Sequence, residues 1–238
     1  YREFLLDRLA GFVRFAMGNA LENGHTCVSA PALLSRVNRL LGRYGSQGTV
    51  MGRSLLNLCI QKLQGDISYH KVGDTIYVYL DEVWEEECSA VHDIKRLLAG
   101  KKKFRVVMDV GQVENKLGVR YNKEQREAFQ ALYTSGIKIL TGPPGSGKTT
   151  VIRGFLESFE NQNACLSATT GRASAVLSNA CGRPASTVNR LLNVRPFEGR
   201  VTAKGRNEQL SEDLVIVDEV SMLGLQLFSF LAAAVKSG

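Results

Sequence analysis

The chain is 238 residues long, 44% hydrophobic and 22% charged, with a net charge of +7 and an isoelectric point near 9.2. That length and apolar content predict one large globular domain or two small ones and exclude a disordered or fibrous chain. No run approaches a membrane span, no signal peptide is visible, and the basic balance predicts a polyanionic partner.

Residues 2–22 predict a first helix, with Phe4, Leu5, Leu9, Phe12, Val13 and Ala16 at helical spacing and Gly24 placed to stop it. A brief extended piece over 25–28 leads into a second helix, capped by Ser29 with Pro31 in its first turn and faced by Leu33, Leu34, Val37, Leu40 and Leu41. A third helix, 53–63, turns Leu56, Cys59, Ile60 and Leu63 inward. Two strand-like runs, 67–71 and 75–80, flank Val72-Gly73-Asp74. Helices followed by a β-hairpin predict a mainly helical, winged-helix-like N-terminal domain over 1–115. A helix over 81–98 follows, its acidic first turn and basic last turn suited to the helix dipole. Its end opens a basic cluster, Lys95, Arg96, Lys101, Lys102, Lys103 and Arg105, which reads as a solvated linker or as a nucleic-acid contact. The domain boundary is expected within 107–120.

Strands and helices then alternate: helix 122–134, strand 137–141, helix 148–159, strand 165–168, helices 172–179 and 186–192, strand 214–217. This order predicts an α/β domain over 116–238, built on a parallel sheet with one unit cut short. Residues 194–210 interrupt the alternation, with Arg195, Arg200, Lys204 and Arg206 outnumbering Glu198 and Glu208; they read as an exposed hairpin insertion or a flexible loop. Cys27, Cys59, Cys88, Cys165 and Cys181 form no C-x-x-C pair and are expected as reduced core or near-core residues of a cytoplasmic protein. His25, His70 and His92 are too scattered for a metal site. Both ends are expected to be cuts in a longer protein.

The strongest local signal is Gly142-Pro143-Pro144-Gly145-Ser146-Gly147-Lys148-Thr149-Thr150, between a predicted strand and a predicted helix. Glycines let backbone N–H groups converge on phosphate oxygens, and the helix start adds the positive end of its dipole. Lys148 would reach the β- and γ-phosphates and the Thr149 hydroxyl would hold Mg²⁺, so the loop predicts ATP–Mg²⁺ as ligand. The apolar run Leu214-Val215-Ile216-Val217 delivers a second signal, Asp218-Glu219, at its carboxyl end, the edge where open α/β sheets bind ligands. Asp218 would hold Mg²⁺ through water and Glu219 would act as general base, the alternative being an N-cap role for either. A strand between the two motifs favours the P-loop class with an inserted strand and a catalytic glutamate over the kinase-like class. Gln125 stands three residues after Asn122, so it completes a capping box or presents its amide to an adenine edge.

Five segments in order resemble the RecD/TraA-type superfamily 1 DNA helicases. They are Asn122-Lys123-Glu124-Gln125, the loop 141–150, Ala168-Thr169-Thr170-Gly171-Arg172-Ala173, Ala185-Ser186-Thr187-Val188-Asn189-Arg190-Leu191-Leu192 and Val217-Asp218-Glu219-Val220-Ser221-Met222. The pattern around His25 to Gly42 is similar to the weaker N-terminal signature of the same branch. The resemblance implies a RecA-like first motor domain, here incomplete. The parent would be an ATP-driven five-prime to three-prime translocase on single-stranded DNA that unwinds a duplex fork in repair and recombination. Gln125 then becomes the adenine reader, and Thr170, Arg172, Thr187 and Arg190 become strand contacts, against a plainer role in helix capping and surface charge. The family usually has Ala-Pro-Thr-Gly-Arg where this chain has Ala168-Thr169-Thr170-Gly171-Arg172, and a histidine where Asn189 stands. In relatives an inserted hairpin corresponding to 194–210 is the pin that splits the duplex. Relatives also carry a second RecA-like domain with an arginine finger, so this stretch alone is expected not to complete the catalytic site. The competing readings are an ATPase that uses nucleotide as a switch, and a DNA-binding subunit of a recombination nuclease complex without unwinding of its own.

Overall fold

A computed structural model describes residues 2–44, 50–100, 106–133, 136–159, 163–197 and 200–236, arranged as two compact units, Tyr1–Cys88 and Ser89–Gly238. Lys101, Lys102, Lys103 and Arg105 of the basic cluster, and Glu198 of the insertion, lie outside the described residues.

The first unit runs α1 (Arg2–Glu22), β1 (Cys27–Ser29), α2 (Ala30–Tyr44), α3 (Arg53–Lys62), β2 (Ile67–Val72) and β3 (Thr75–Leu80), and then enters α4 (Asp81–Ala99). Its sheet is antiparallel in the order β1-β3-β2. Register places Val28 and Tyr69 on either side of the fully buried Val78, so β3 is the central strand. Leu9, Val13, Ala16 and Ala20 recur every three or four residues along α1 and bury against Leu33 and Val37 of α2, Leu56 and Cys59 of α3, and Val78. Each such large side chain contributes about 1.5–3 kcal/mol. Phe4, expected on that inward face, is instead 75% exposed. The 21 residues of α1 reach about 31 Å, roughly twice the length of α3, so its first turn runs past the core. Trp84, in the first turn of α4, stacks on His70 with ring centroids 3.6 Å apart.

The second unit contains α5 (Val110–Leu117), α6 (Lys123–Leu132), α7 (Lys148–Glu157), β4 (Ala164–Ala168), α8 (Gly171–Cys181), β5 (Ala185–Thr187), α9 (Val188–Leu191), β6 (Arg195–Phe197), β7 (Arg200–Thr202), β8 (Leu214–Asp218), a 3₁₀ turn (Val220–Met222) and α10 (Leu225–Ala234). Its main sheet is parallel, ordered β5-β4-β8, with Ala168 opposite both Thr187 and Asp218. β6 and β7 form a separate antiparallel pair. The stretch 107–120, where the composition places a boundary, holds α5, started by an Asp109–Gln112 capping box and ended by left-handed Gly118.

Three expectations are corrected. Residues 137–141 form no strand among the described residues, and Ile139 is 83% exposed. A β-branched run has little intrinsic strand preference without cross-strand partners, and this one pairs with none. Ser186 and Thr187, expected in a helix, belong to β5; the helix starts only at Val188, because the Thr187 hydroxyl caps it by accepting from Arg190 N. Cys88, expected in or near the core, is exposed.

Two apolar clusters carry the helices of this unit. Tyr121, Phe129, Phe155 and Phe159, joined by Tyr133, brace α5, α6 and α7 through mostly edge-to-face contacts, the shortest being Phe155–Phe159 at 4.5 Å. On its other side α7 sets Ile152 and Leu156 into a cluster with Leu166 of β4 and Leu214 and Ile216 of β8.

Candidate functional site

The glycine loop leads directly into α7. Gly145 and Gly147 both take the left-handed backbone, at φ 76° and 81°, and Gly147 is the N-cap of the helix that Lys148 begins. Pro143, Pro144 and Gly145 form the exposed tip, whereas Gly142 and Ser146 through Thr150 are half-buried. Lys148 turns back over the loop, its Nζ donating to the carbonyl oxygens of Gly142 at 2.7 Å and Pro143 at 3.1 Å. Its charge is thereby held over the concave side by two weakly basic acceptors, which phosphate oxygens can replace.

Gln125 reaches the same loop. Its Oε1 accepts from Asn122 N at 2.9 Å, and its Nε2 donates to Ser146 O at 2.9 Å. Asn122 Oδ1 accepts from Gln125 N at 2.8 Å, so the capping box is complete while the amide also grips the loop. A Cβ on Gly147 would lie 2.5 Å from Gln125 Nε2, and one on Gly142 would lie 2.7 Å from Ser146 Oγ. The loop thus has the close backbone approach and the positive helix end that a phosphate chain needs, and the residues fit a nucleotide.

The parallel sheet gathers the other candidates at its carboxyl edge. Asp218 ends β8, and its Oδ1 accepts from Glu219 N at 3.0 Å. Glu219 itself sits at φ 55°, left-handed for a residue with a Cβ, so its backbone carries strain at the edge where ligands bind. β4 ends alongside, and Thr170 beyond it caps α8 by accepting from Ala173 N at 3.2 Å; Thr187 ends β5 and caps α9. Arg172 and Arg190, in the first turns of those helices, are exposed. Thr169 Oγ1, between β4 and α8, is buried with no partner among the described residues, a free polar atom at the same edge. Burial pushes the Cys165 thiol of β4 up to about 12, so it is an inert, half-buried thiol. Among the described residues no group of three His, Cys, Asp or Glu side chains could hold a metal. Mg²⁺ does not ask for such a cage, since it keeps several waters and binds through one or two carboxylates plus phosphates.

Sequence reasoning missed the support beneath the loop. Tyr121 donates from its hydroxyl to Thr150 O at 3.0 Å, and its backbone N–H donates to the buried Glu114, which also pairs with Arg126 at 2.6 Å. A Cβ on Gly154 would lie 2.1 Å from Tyr121 Oη, 3.0 Å from Val113 and 3.2 Å from Phe129. Gly154 was readable only as a glycine inside a predicted helix, a pattern with a packing reason more often than not.

Comparison with known proteins bears on what this site serves. Residues 125–238 match an AAA domain family model, which takes in the glycine loop and both carboxylates. The RecBCD enzyme subunit RecD of Mycolicibacterium smegmatis is 31% identical over 189 residues, covering 69% of this chain and 33% of that protein. The ATP-dependent RecD2 DNA helicase of Deinococcus radiodurans is 35% identical over 163 residues, covering 68% of this chain and 22% of that protein. The chain belongs to the RecD-like superfamily 1 helicases. The RecD-like chain spans about a third or less of the length of these relatives. It also resembles the ATP-dependent DNA helicase dda of phage T4, 28% identical over 103 residues, 40% of this chain and 24% of that one. No helix among the described residues of the RecD-like chain is long and apolar enough to cross a membrane.

Proposed function

We propose that the second unit is the ATP-binding part of the first RecA-like motor domain of an ATP-dependent DNA helicase, which translocates five-prime to three-prime on single-stranded DNA and unwinds duplex. The observation that carries this reading is Lys148 folded over a glycine loop whose helix, α7, packs on the strand that ends in Asp218 and leads into Glu219. Bound Mg²⁺ would offset the charge that spreads over the transferred phosphoryl group. Lys148 exchanges the Gly142 and Pro143 carbonyls for β- and γ-phosphate oxygens. Thr149 and Asp218 would hold the metal, and Glu219 takes the proton of the attacking water. Gln125 reads adenine by redirecting the amide that otherwise grips Ser146. Thr170 and Thr187 hold the starts of α8 and α9 so that Arg172 and Arg190 face the strand phosphates. Full turnover draws on the arginine finger that the family resemblance puts in a second RecA-like domain.

The β6–β7 hairpin serves as the pin at the duplex fork. For the first unit, the order α1-β1-α2-α3-β2-β3 and the sheet β1-β3-β2 support the winged-helix-like reading. The similarity to RecD subunits makes recombination nuclease subunits candidate partners of the whole protein. The deciding experiment is Lys148→Ala in the full-length protein, assayed for DNA-stimulated ATPase and duplex unwinding. Both activities should vanish with the melting temperature unchanged, because the lysine's partners are carbonyls at a half-open loop rather than a packed core. Unwinding by a folded Lys148→Ala protein would remove the loop from the mechanism.

A further inference from the structure

Outside the nucleotide site, Asp93 of α4 is the one carboxylate without exposed surface among the described residues of the second unit. Arg206, beyond the end of β7, grips it with two nitrogens: Nη2 lies 2.9 Å from Oδ2, and Nε lies 3.2 and 3.3 Å from the two oxygens. Arg96, one turn along α4, donates from Nε to Oδ1 at 2.8 Å. The far side of the same guanidinium donates from Nη2 to the carbonyl oxygens of Ala232 and Val235, both at 2.8 Å, at the carboxyl end of α10. Two further backbone bonds complete the assembly. Lys204 N donates to Leu192 O at 2.8 Å at the foot of the hairpin, and Leu210 N donates to Ala234 O at 2.8 Å.

A continuous run of direct hydrogen bonds therefore joins the turn that follows β7 to the end of α10 through Arg206, Asp93 and Arg96. α10 is the helix that follows Asp218, Glu219 and the 3₁₀ turn. A carboxylate without exposed surface is retained at a desolvation cost that an apolar residue would avoid, so its use is the specific orientation it imposes. Both of its partners are planar forks, which fix direction as well as distance. Within the carboxyl half of α4, no other described residue combines full burial, a charge and a charged partner on a distant segment.

We infer that Asp93 is a positioning residue for strand separation, locking the foot of the β6–β7 hairpin to the helix that leaves the catalytic carboxylates. The inference rests on the reading of the hairpin as the pin. A hairpin held at one clamped angle transmits motor movement to the fork, and a hairpin hinged at residues 203–206 yields to it. ATP turnover needs neither Asp93 nor Arg206.

The test uses the full-length protein with three substitutions, Asp93→Asn, Arg206→Gln and Arg206→Lys, and a fourth variant in which residues 196–202 are replaced by a Gly-Ser linker that spares Arg206. Because Arg206 is half exposed and its loss leaves the Asp93–Arg96 pair in place, Arg206→Gln is expected to fold even if Asp93→Asn does not. Base pairs unwound per ATP hydrolysed should fall about 2- to 30-fold in Arg206→Gln. Its DNA-stimulated ATPase should stay within about twofold of the parent. Arg206→Lys should recover part of the loss, and the Lys204 amide should exchange faster with solvent in Arg206→Gln. Unwinding and ATPase falling in equal proportion, or an unchanged ratio, overturns the inference. If the linker variant still unwinds, the pin reading fails and takes the inference with it. If the linker variant fails to unwind while Arg206→Gln unwinds normally, only the role of Asp93 is refuted.

Discussion

Gln125 donates a 2.9 Å hydrogen bond to the carbonyl of Ser146 while its other amide atom caps α6, so one side chain ties a helix start to the glycine loop. The two roles that the sequence left as alternatives are linked in space. Any adenine contact made by this amide is made at the expense of its grip on the loop or of the cap.

Gln125→Glu separates them. The carboxylate still accepts from Asn122 N, so the cap and the melting temperature hold, but it cannot donate to Ser146 O or to an adenine acceptor. ATP affinity should drop about tenfold, the effect of one lost polar contact of about 1.4 kcal/mol, and preference over GTP should shrink. Titration of a fluorescent nucleotide with ATP and GTP as competitors reads both; an unchanged ATP to GTP ratio would rule out the adenine role.

Glu219→Gln tests the general base. The amide is isosteric and keeps the left-handed backbone at 219, so binding of ATP should survive within a few-fold. Hydrolysis should fall by about 10²–10⁴, the usual worth of a positioned base. Single-turnover phosphate release from the full-length protein, set beside nucleotide binding, separates the steps. Loss of both in parallel would make Glu219 a ligand or a structural residue.

Gly154→Ala tests the packing beneath the loop. The added methyl meets Tyr121 Oη at 2.1 Å, with Val113 and Phe129 blocking the other directions. Alanine has the better helix propensity by about 1 kcal/mol, but overpacking of a tight core costs about 1–3 kcal/mol and should win. Denaturant melts should show net loss, and Tyr121→Phe in the same chain should restore part of it by removing the clashing oxygen. A stabilised Gly154→Ala protein would mean that Tyr121 is free to move.

Acid should loosen the second unit through two carboxylates. Burial works to raise the pKa of Asp93, yet the bonds from Arg206 and Arg96 outweigh it and hold the carboxyl below its ordinary range. For Glu157 the bond from Lys116, at 2.6 Å, is the main cause of a shift in the same direction. Folded-state values below the unfolded ones mean that the unfolded chain takes up protons first. The stabilisation is therefore fully present above the ordinary carboxylate range of about 4 and is lost as pH falls through the depressed values. Melting temperature should be flat near neutrality and drop below about pH 4, with a smaller drop in Arg206→Gln. An equal drop in that variant would assign the acid sensitivity elsewhere.

The glycine loop, the two carboxylates and the helices of the first unit were legible in the sequence because each is a local pattern. Glycine spacing, a capping box and periodic leucines act over a few residues, and the chain needs no distant partner to express them. What only the tertiary structure decided are pairings between segments far apart in the chain. Residues 137–141 have strand composition but no ladder, because strand formation is settled by neighbours and not by propensity. Ser186 and Thr187 became a strand because Ser167 and Ala168 of β4 offer them a parallel edge. The floor of the loop, Tyr121 under Thr150 with Gly154 cleared to receive it, joins residues 29 apart. Asp93 and Arg206 stand 113 positions apart, and either alone reads as ordinary surface charge. Only folding takes that carboxylate out of water, and a buried charge must then find its partners wherever the fold brings them.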